Sequence, residues 1–133
     1  MIEGLSHITL VVKDIDKTSM IITQVFGGKQ TYNSGNKTFS ISKERFFDIN
    51  GLWFVLMEGK ELPEKSYNHI AFKVKAGDLA GYEKKVKSLG LEIKDSRPRN
   101  PKEGESLYFY DYDNHLFELH TGTLDERLEF YNE

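Results

Sequence analysis

Ser6-His7-Ile8-Thr9-Leu10-Val11-Val12 and Asn68-His69-Ile70-Ala71-Phe72-Lys73-Val74 are two copies of one pattern, a polar residue and a histidine opening an apolar strand. The surroundings repeat as well. Ahead of the first copy's helix, Asp14-Ile15-Asp16 supplies capping oxygens, and Gly27-Gly28 ends that helix after about Phe26. Strands are predicted at about Lys29–Tyr32, Thr38–Asp48 and Leu52–Glu58, separated by Asn33-Ser34-Gly35-Asn36 and Asn50-Gly51 turns. A charged stretch, 59–66, links to the second copy. There a strand over Tyr67–Lys75 precedes a helix with Leu79, Tyr82, Val86 and Leu89 on one face, stopped by Gly90. Strands at about Leu91–Lys94, Ser106–Tyr110 and His115–Thr121 follow, and Thr123 with Glu126 forms a capping-box pattern for a last helix. Each half reads βαβββ. The predicted class is α+β: paired βαβββ modules, about 1–60 and 66–122, with a C-terminal helix over about 123–132, forming one domain whose two curved mixed sheets close around one cup-shaped cleft.

The 133 residues carry a net charge of −3 with basic and acidic side chains interspersed, which argues against a nucleic-acid role. Cysteine is absent, so disulfides, thiolate metal ligands and a cysteine nucleophile are excluded. No apolar run approaches the roughly 20 residues of a membrane span, and the first residues lack a basic region followed by an apolar one. The expectation is an unexported, cytoplasmic protein with no membrane partner.

Side chains on a strand alternate between faces, so His7 shares one with Thr9 and Val11, while Ile8, Leu10 and Val12 face the helix. His69 has the same parity with Ala71. In Leu116-Phe117-Glu118-Leu119-His120 a carboxylate interrupts an apolar strand, and burying it without a partner would cost several kcal/mol. A cation opposite Glu118 is the simpler account. His7, His69 and Glu118 then form an N2O set suited to Mn²⁺, Fe²⁺, Ni²⁺ or Zn²⁺. His120 ranks as a residue behind the ligands, and His115, after a turn, is expected to be exposed. The strand Leu52–Met57, the counterpart of the Glu118 strand, offers no fourth ligand, and an incomplete shell points to chemistry rather than structure.

The doubled plan with these ligands resembles the vicinal oxygen chelate superfamily, which includes glyoxalase I, extradiol dioxygenases and fosfomycin-resistance enzymes. It most resembles the fosfomycin-resistance proteins, through Ser6-His7-Ile8-Thr9-Leu10, Asn50-Gly51-Leu52-Trp53, Tyr67-Asn68-His69-Ile70-Ala71-Phe72, Gly104-Glu105-Ser106-Leu107-Tyr108-Phe109 and His115-Leu116-Phe117-Glu118-Leu119-His120-Thr121-Gly122-Thr123-Leu124. These enzymes open the epoxide of a small phosphonate with glutathione, another thiol such as bacillithiol, or water. The water-using branch carries an acidic base before the Asn-Gly-Leu-Trp turn, a position that corresponds to Glu44. Taken by itself, Lys43-Glu44-Arg45 reads as a solvated strand edge. The resemblance selects hydration instead.

The resemblance further implies Mn²⁺ as the ion, no organic cofactor, and fosfomycin as the small-molecule substrate. It assigns substrate contacts to Lys94, Tyr108 and Arg127, with Thr9 beside the metal and Tyr67 and Trp53 as pocket walls. It also implies a domain-swapped homodimer, with His7 from one chain and His69 and Glu118 from the other. Three rival readings stay open: a thiol transferase on the same epoxide, a metal-free drug-sequestering protein of the same fold, and an isomerase of glyoxalase I type. The last generally requires the fourth ligand this chain lacks.

Overall fold

The computed structural model describes residues 1–133, which divide into two compact units, Met1–Leu62 and Pro63–Glu133. In the first, β1 (His7–Val12), α1 (Ile15–Gln24), β2 (Lys29–Asn33), β3 (Glu44–Ile49) and β4 (Leu52–Glu58) form a four-stranded sheet in the order β1-β4-β3-β2. In the second, β5 (His69–Lys73), α2 (Leu79–Ser88), β6 (Ile93–Lys94), β7 (Ser106–Tyr110) and β8 (Leu116–His120) form a sheet in the order β5-β8-β7-β6, followed by α3 (Leu124–Tyr131). In each sheet the histidine strand lies at the edge and pairs in parallel with the last strand, and the other pairs are antiparallel. The α+β class expected from the repeat is the one observed.

Local chemistry sets the boundaries. The Asp14 carboxylate accepts from the Lys17 N–H at 3.0 Å and caps α1. Asn50 and Gly51 both take positive φ, 48° and 90°, the backbone a tight β3–β4 hairpin needs. Thr123 and Glu126 form the reciprocal capping box that starts α3. The strand predicted over Thr38–Asp48 begins only at Glu44, because β4 ends at Glu58 and leaves the earlier residues no ladder to join. Its last links are Lys43 accepting from the Glu58 N–H at 2.9 Å and the Ser42 hydroxyl donating to the Glu58 carbonyl at 2.6 Å. For the same reason β5 is shorter than Tyr67–Lys75, since β8 has only five residues to pair with it.

One face of each sheet is covered by its helix. Ile21 and Ile22 of α1 are buried, as are Phe47, Phe54 and Leu56 on the helix-facing side of the first sheet. In the second unit Val86 of α2, Leu107, Phe109, Phe117 and Leu119 form the corresponding layer, with Phe109 and Phe117 stacked at 5.7 Å. The opposite faces carry the polar residues singled out by parity. No helix is long and apolar enough to cross a membrane.

Candidate metal and substrate site

Register makes the two sheets equivalent residue by residue. His7 pairs with Trp53 and His69 with Leu116, so Val55, opposite Thr9, stands where Glu118 stands opposite Ala71. One strand further in, Phe46 corresponds to Tyr108 and Glu44 to Ser106. Glu44 therefore lies on the same face as His7, Thr9 and Trp53, and Ser106 on the same face as His69, Glu118 and His120.

In the second unit that face is a dense polar network. The His69 Nδ1–H donates to the Tyr67 carbonyl at 2.7 Å, which leaves the lone pair on Nε2. Nε2 lies 3.0 Å from Glu118 Oε1. A second proton, on Nε2, satisfies this pair as an ordinary hydrogen bond, and an imidazole nitrogen beside a carboxylate oxygen is also a donor set that fits a divalent transition metal. Glu118 Oε2 accepts from the Ser106 hydroxyl at 2.6 Å, so the Ser106 oxygen takes the Nδ1–H of His120 at 2.7 Å. That tautomer turns His120 Nε2 toward Arg127 Nη2, 3.4 Å away. Glu118 is buried, and burial alone would raise its carboxyl pKa. Hydrogen bonds from Ser106 and Tyr108, with the adjacent His120 ring and the Arg99 charge, bring it below the ordinary value.

Tyr108 is 2 % exposed and its hydroxyl lies 3.2 Å from that of Tyr67. Burial, reinforced by the Tyr67 hydrogen bond and the Glu118 charge, pushes its pKa up, so it stays a hydroxyl. Lys94 Nζ sits 5.5 Å from the centre of the Tyr67 ring, beside the same pair of tyrosines. Lys94, Tyr67, Tyr108, His69, Glu118, His120 and Arg127 are thus assembled in one unit. His115 is not exposed as expected: its Nδ1 lies 2.7 Å from the buried Asp111 carboxylate, which holds it in the turn before β8.

Two members of the network were not singled out from the sequence. Arg99 Nη2 donates to the Tyr108 hydroxyl at 2.8 Å and lies 3.4 Å from Glu118 Oε2, while its Nη1 is buried without a partner. Nothing in the loop sequence separates Arg99 from Arg97 or Lys102. Ser106 could have been found from the register, as the residue opposite His120.

The first unit contributes His7, whose ring packs 4.2 Å from that of Trp53 and whose Nδ1 lies 3.0 Å from the Ser6 hydroxyl. Phe46 meets the Trp53 ring in an edge arrangement at 5.2 Å. Thr9 is exposed on the same face. Glu44 is only 9 % exposed, and its carboxylate makes no hydrogen bond or ion pair with the chain. Arg45 points the other way, under α1, where it pairs with Asp16 and donates to the Ser19 hydroxyl at 3.0 Å. The solvated-edge reading of Lys43-Glu44-Arg45 therefore does not describe this strand. In neither unit do three His, Asp or Glu side chains converge as a metal shell.

The Glyoxalase/Bleomycin resistance protein/Dioxygenase superfamily matches residues 4–119. The chain is 56% identical over 133 residues, the full length of both proteins, to the fosfomycin resistance protein FosX of Listeria monocytogenes. To the metallothiol transferase FosB of Lysinibacillus sphaericus it is 36% identical, over 98% of this chain and 90% of that one. A crystal structure of a Glu-to-Gln mutant of the Listeria monocytogenes FosX, complexed with Mn(II) and 1S,2S-dihydroxypropylphosphonic acid, superposes with a TM-score of 0.90 at 51% identity, covering 98% of this chain and 99% of that one. The chain belongs to the glyoxalase superfamily and, within it, to the family of FosX fosfomycin resistance proteins.

Proposed function

We propose that the protein is a fosfomycin resistance enzyme, a metal-dependent epoxide hydrolase that adds water to fosfomycin and releases a vicinal diol phosphonate. The observation that carries this reading is Glu44: a nearly buried carboxylate, unpartnered in the chain, on the histidine-bearing face of its sheet. A thiol nucleophile ionises more readily than water and has less need of a base there. The diol phosphonate and Mn(II) bound to the Listeria relative support the same reaction and ion.

His7, His69 and Glu118 would hold the divalent ion, with Mn²⁺ as the expected species and open positions left for the substrate. When bound, the ion supplies Lewis-acid stabilisation of the negative charge that builds on the epoxide oxygen. Glu44 takes a proton from water as the water oxygen bonds to the phosphonate-bearing carbon. The C–O bond to that carbon breaks, its electron pair stays on the former epoxide oxygen, and protonation there completes the diol. His7 is level with Trp53, and Glu44 with Met57, four residues on. At about 3.3 Å per residue this sets His7 and Glu44 roughly 13 Å apart along the strand direction, and an ion held by His7 would leave the space between for substrate and water.

The phosphonate is dianionic and calls for cations and hydroxyls. Lys94, Tyr67, Tyr108, Arg99 and Arg127 would supply them, and Arg99 keeps one buried Nη1 without a partner in the chain. Thr9 lies on the face of His7, and Trp53, packed against the His7 ring, would wall the substrate pocket. Because β1 and β5 are edge strands with their histidine faces exposed, we read the active unit as a homodimer in which His7 of one chain joins His69 and Glu118 of the other.

The test is incubation of the Mn²⁺-loaded protein with fosfomycin in thiol-free, ¹⁸O-enriched water, followed by ³¹P NMR and mass spectrometry. Diol carrying one ¹⁸O at the phosphonate-bearing carbon is expected. Turnover that appears only when a thiol is added would replace hydration with thiol transfer.

A further inference from the structure

The segment between β6 and β7 and the helix α3 each deliver one arginine to the Glu118 network, Arg99 and Arg127 respectively. Both elements are gathered by one carboxylate that the reaction above does not use. Glu103 is 6 % exposed. Its Oε1 accepts from Arg97 Nη2 at 2.8 Å and from the Tyr131 hydroxyl at 3.0 Å, and its Oε2 from the Asn100 N–H at 3.0 Å. Arg127 Nε, buried without a hydrogen-bond partner, has the same Oε1 at 3.9 Å as its nearest anion.

The backbone beneath is fitted closely. Gly104 has φ +81°, and a Cβ there would lie 2.6 Å from the Gly122 nitrogen. A Cβ on Gly122 would lie 2.6 Å from the Glu103 carbonyl oxygen and 2.8 Å from His120 Nε2. The loop therefore rests directly on the junction between β8 and α3, and Glu103 is the side chain that fastens it. The Arg97 hydrogen bond, with those from Asn100 and Tyr131, holds the Glu103 carboxyl down to about 2, so the fastening is a permanent charge at neutral pH.

We propose that Glu103 is a positioning residue that sets Arg99 and Arg127 in place for the anionic end of the substrate, by tying Arg97 and Asn100 of the loop to Tyr131 and Arg127 of α3. Its kinetic consequence rests on the proposed fosfomycin chemistry. Its structural consequence does not. A residue acting through substrate-binding arginines changes binding more than the chemical step. Glu103→Gln is expected to raise KM for fosfomycin about tenfold while kcat moves less than about threefold. The effect should be non-additive with Arg127→Ala, the double variant being little worse than Arg127→Ala alone.

The experiment combines steady-state kinetics of Glu103→Gln, Arg127→Ala and the double variant with ¹⁵N NMR of the arginine Nε–H signals of the Mn²⁺-free full chain. The Arg127 Nε–H signal is expected to shift and exchange faster with solvent in Glu103→Gln. Tyr131→Phe, which removes one hydrogen bond and leaves the charge, should shift it in the same direction by less and keep the variant folded. An unmoved Arg127 signal in both variants, an unchanged KM, or fully multiplicative effects would overturn the proposal. If wild-type protein leaves fosfomycin intact, the functional reading falls, and the Arg127 signal alone decides whether Glu103 positions it.

Discussion

Ser34 and Glu44 hold each other's main chain: the Ser34 N–H donates to the Glu44 carbonyl at 3.0 Å, and the Ser34 hydroxyl accepts from the Glu44 N–H at 2.9 Å. Both residues are buried. The backbone of Glu44 is fixed by this clamp while its carboxylate is left uncommitted. Glu44→Gln should lower kcat for diol formation by about 10²- to 10⁴-fold, the usual worth of a general base, and leave Mn²⁺ affinity unchanged. Ser34→Ala should act in the same direction by about tenfold and destabilise the fold by about 1 kcal/mol. Following the phosphorus resonance of substrate and titrating Mn²⁺ by electron paramagnetic resonance separates the two quantities.

Ser106 orients Glu118, a proposed metal ligand, without joining the proposed set itself. It donates to Glu118 Oε2 at 2.6 Å and receives His120 at 2.7 Å. Removing such a partner typically weakens a metal site by about 10- to 100-fold. Ser106→Ala should show that loss in a Mn²⁺ titration, and Ser106→Thr should recover part of it. Equal affinity in Ser106→Ala would show that Glu118 is held by other means.

The homodimer reading makes a sharp prediction. His7→Ala and His69→Ala should each be inactive alone. If one site draws His7 and His69 from different chains, a refolded equal mixture regains about a quarter of wild-type activity, since half the dimers are mixed and each has one intact site. If both histidines come from one chain, no mixture recovers activity.

Acid stability should report on Glu103. Its pKa lies near 2 in the folded chain against an ordinary 4.5, so the folded state binds this proton later than the unfolded one. The stabilisation is fully present above pH 4.5 and is lost as the pH falls toward 2. The difference in Tm between wild type and Glu103→Gln should therefore be largest above pH 5 and shrink toward pH 2. A constant difference across that range would assign the effect to packing.

The sheet face that each candidate residue occupies was legible because strand parity is a local property. His7 and His69 open equivalent strands, and Glu118 interrupts an apolar one, so their shared faces follow from alternation alone. The limits of strands were less legible, because a strand ends where its neighbour does: Thr38–Lys43 has the composition of a strand but lies beyond the end of β4. Arg99 was hidden for another reason. Its place beside Glu118 depends on the path of an irregular loop fixed by Glu103 and the Gly104–Gly122 contact, neither of which has a periodicity to read. His115 was misjudged because its partner, Asp111, is supplied by the turn itself.

The pairing that sets Val55 against Thr9 and Glu118 against Ala71 means that the halves differ, at the position that matters most, by one side chain. On the proposed reading, a carboxylate at Val55 would give the ion a fourth ligand and close a position meant for substrate. If the proposed ion draws on both halves, the aliphatic Val55 leaves the first half without the carboxylate that Glu118 brings to the second. In the proposed site, reactivity would depend as much on the ligand that one half withholds as on those that the two would provide.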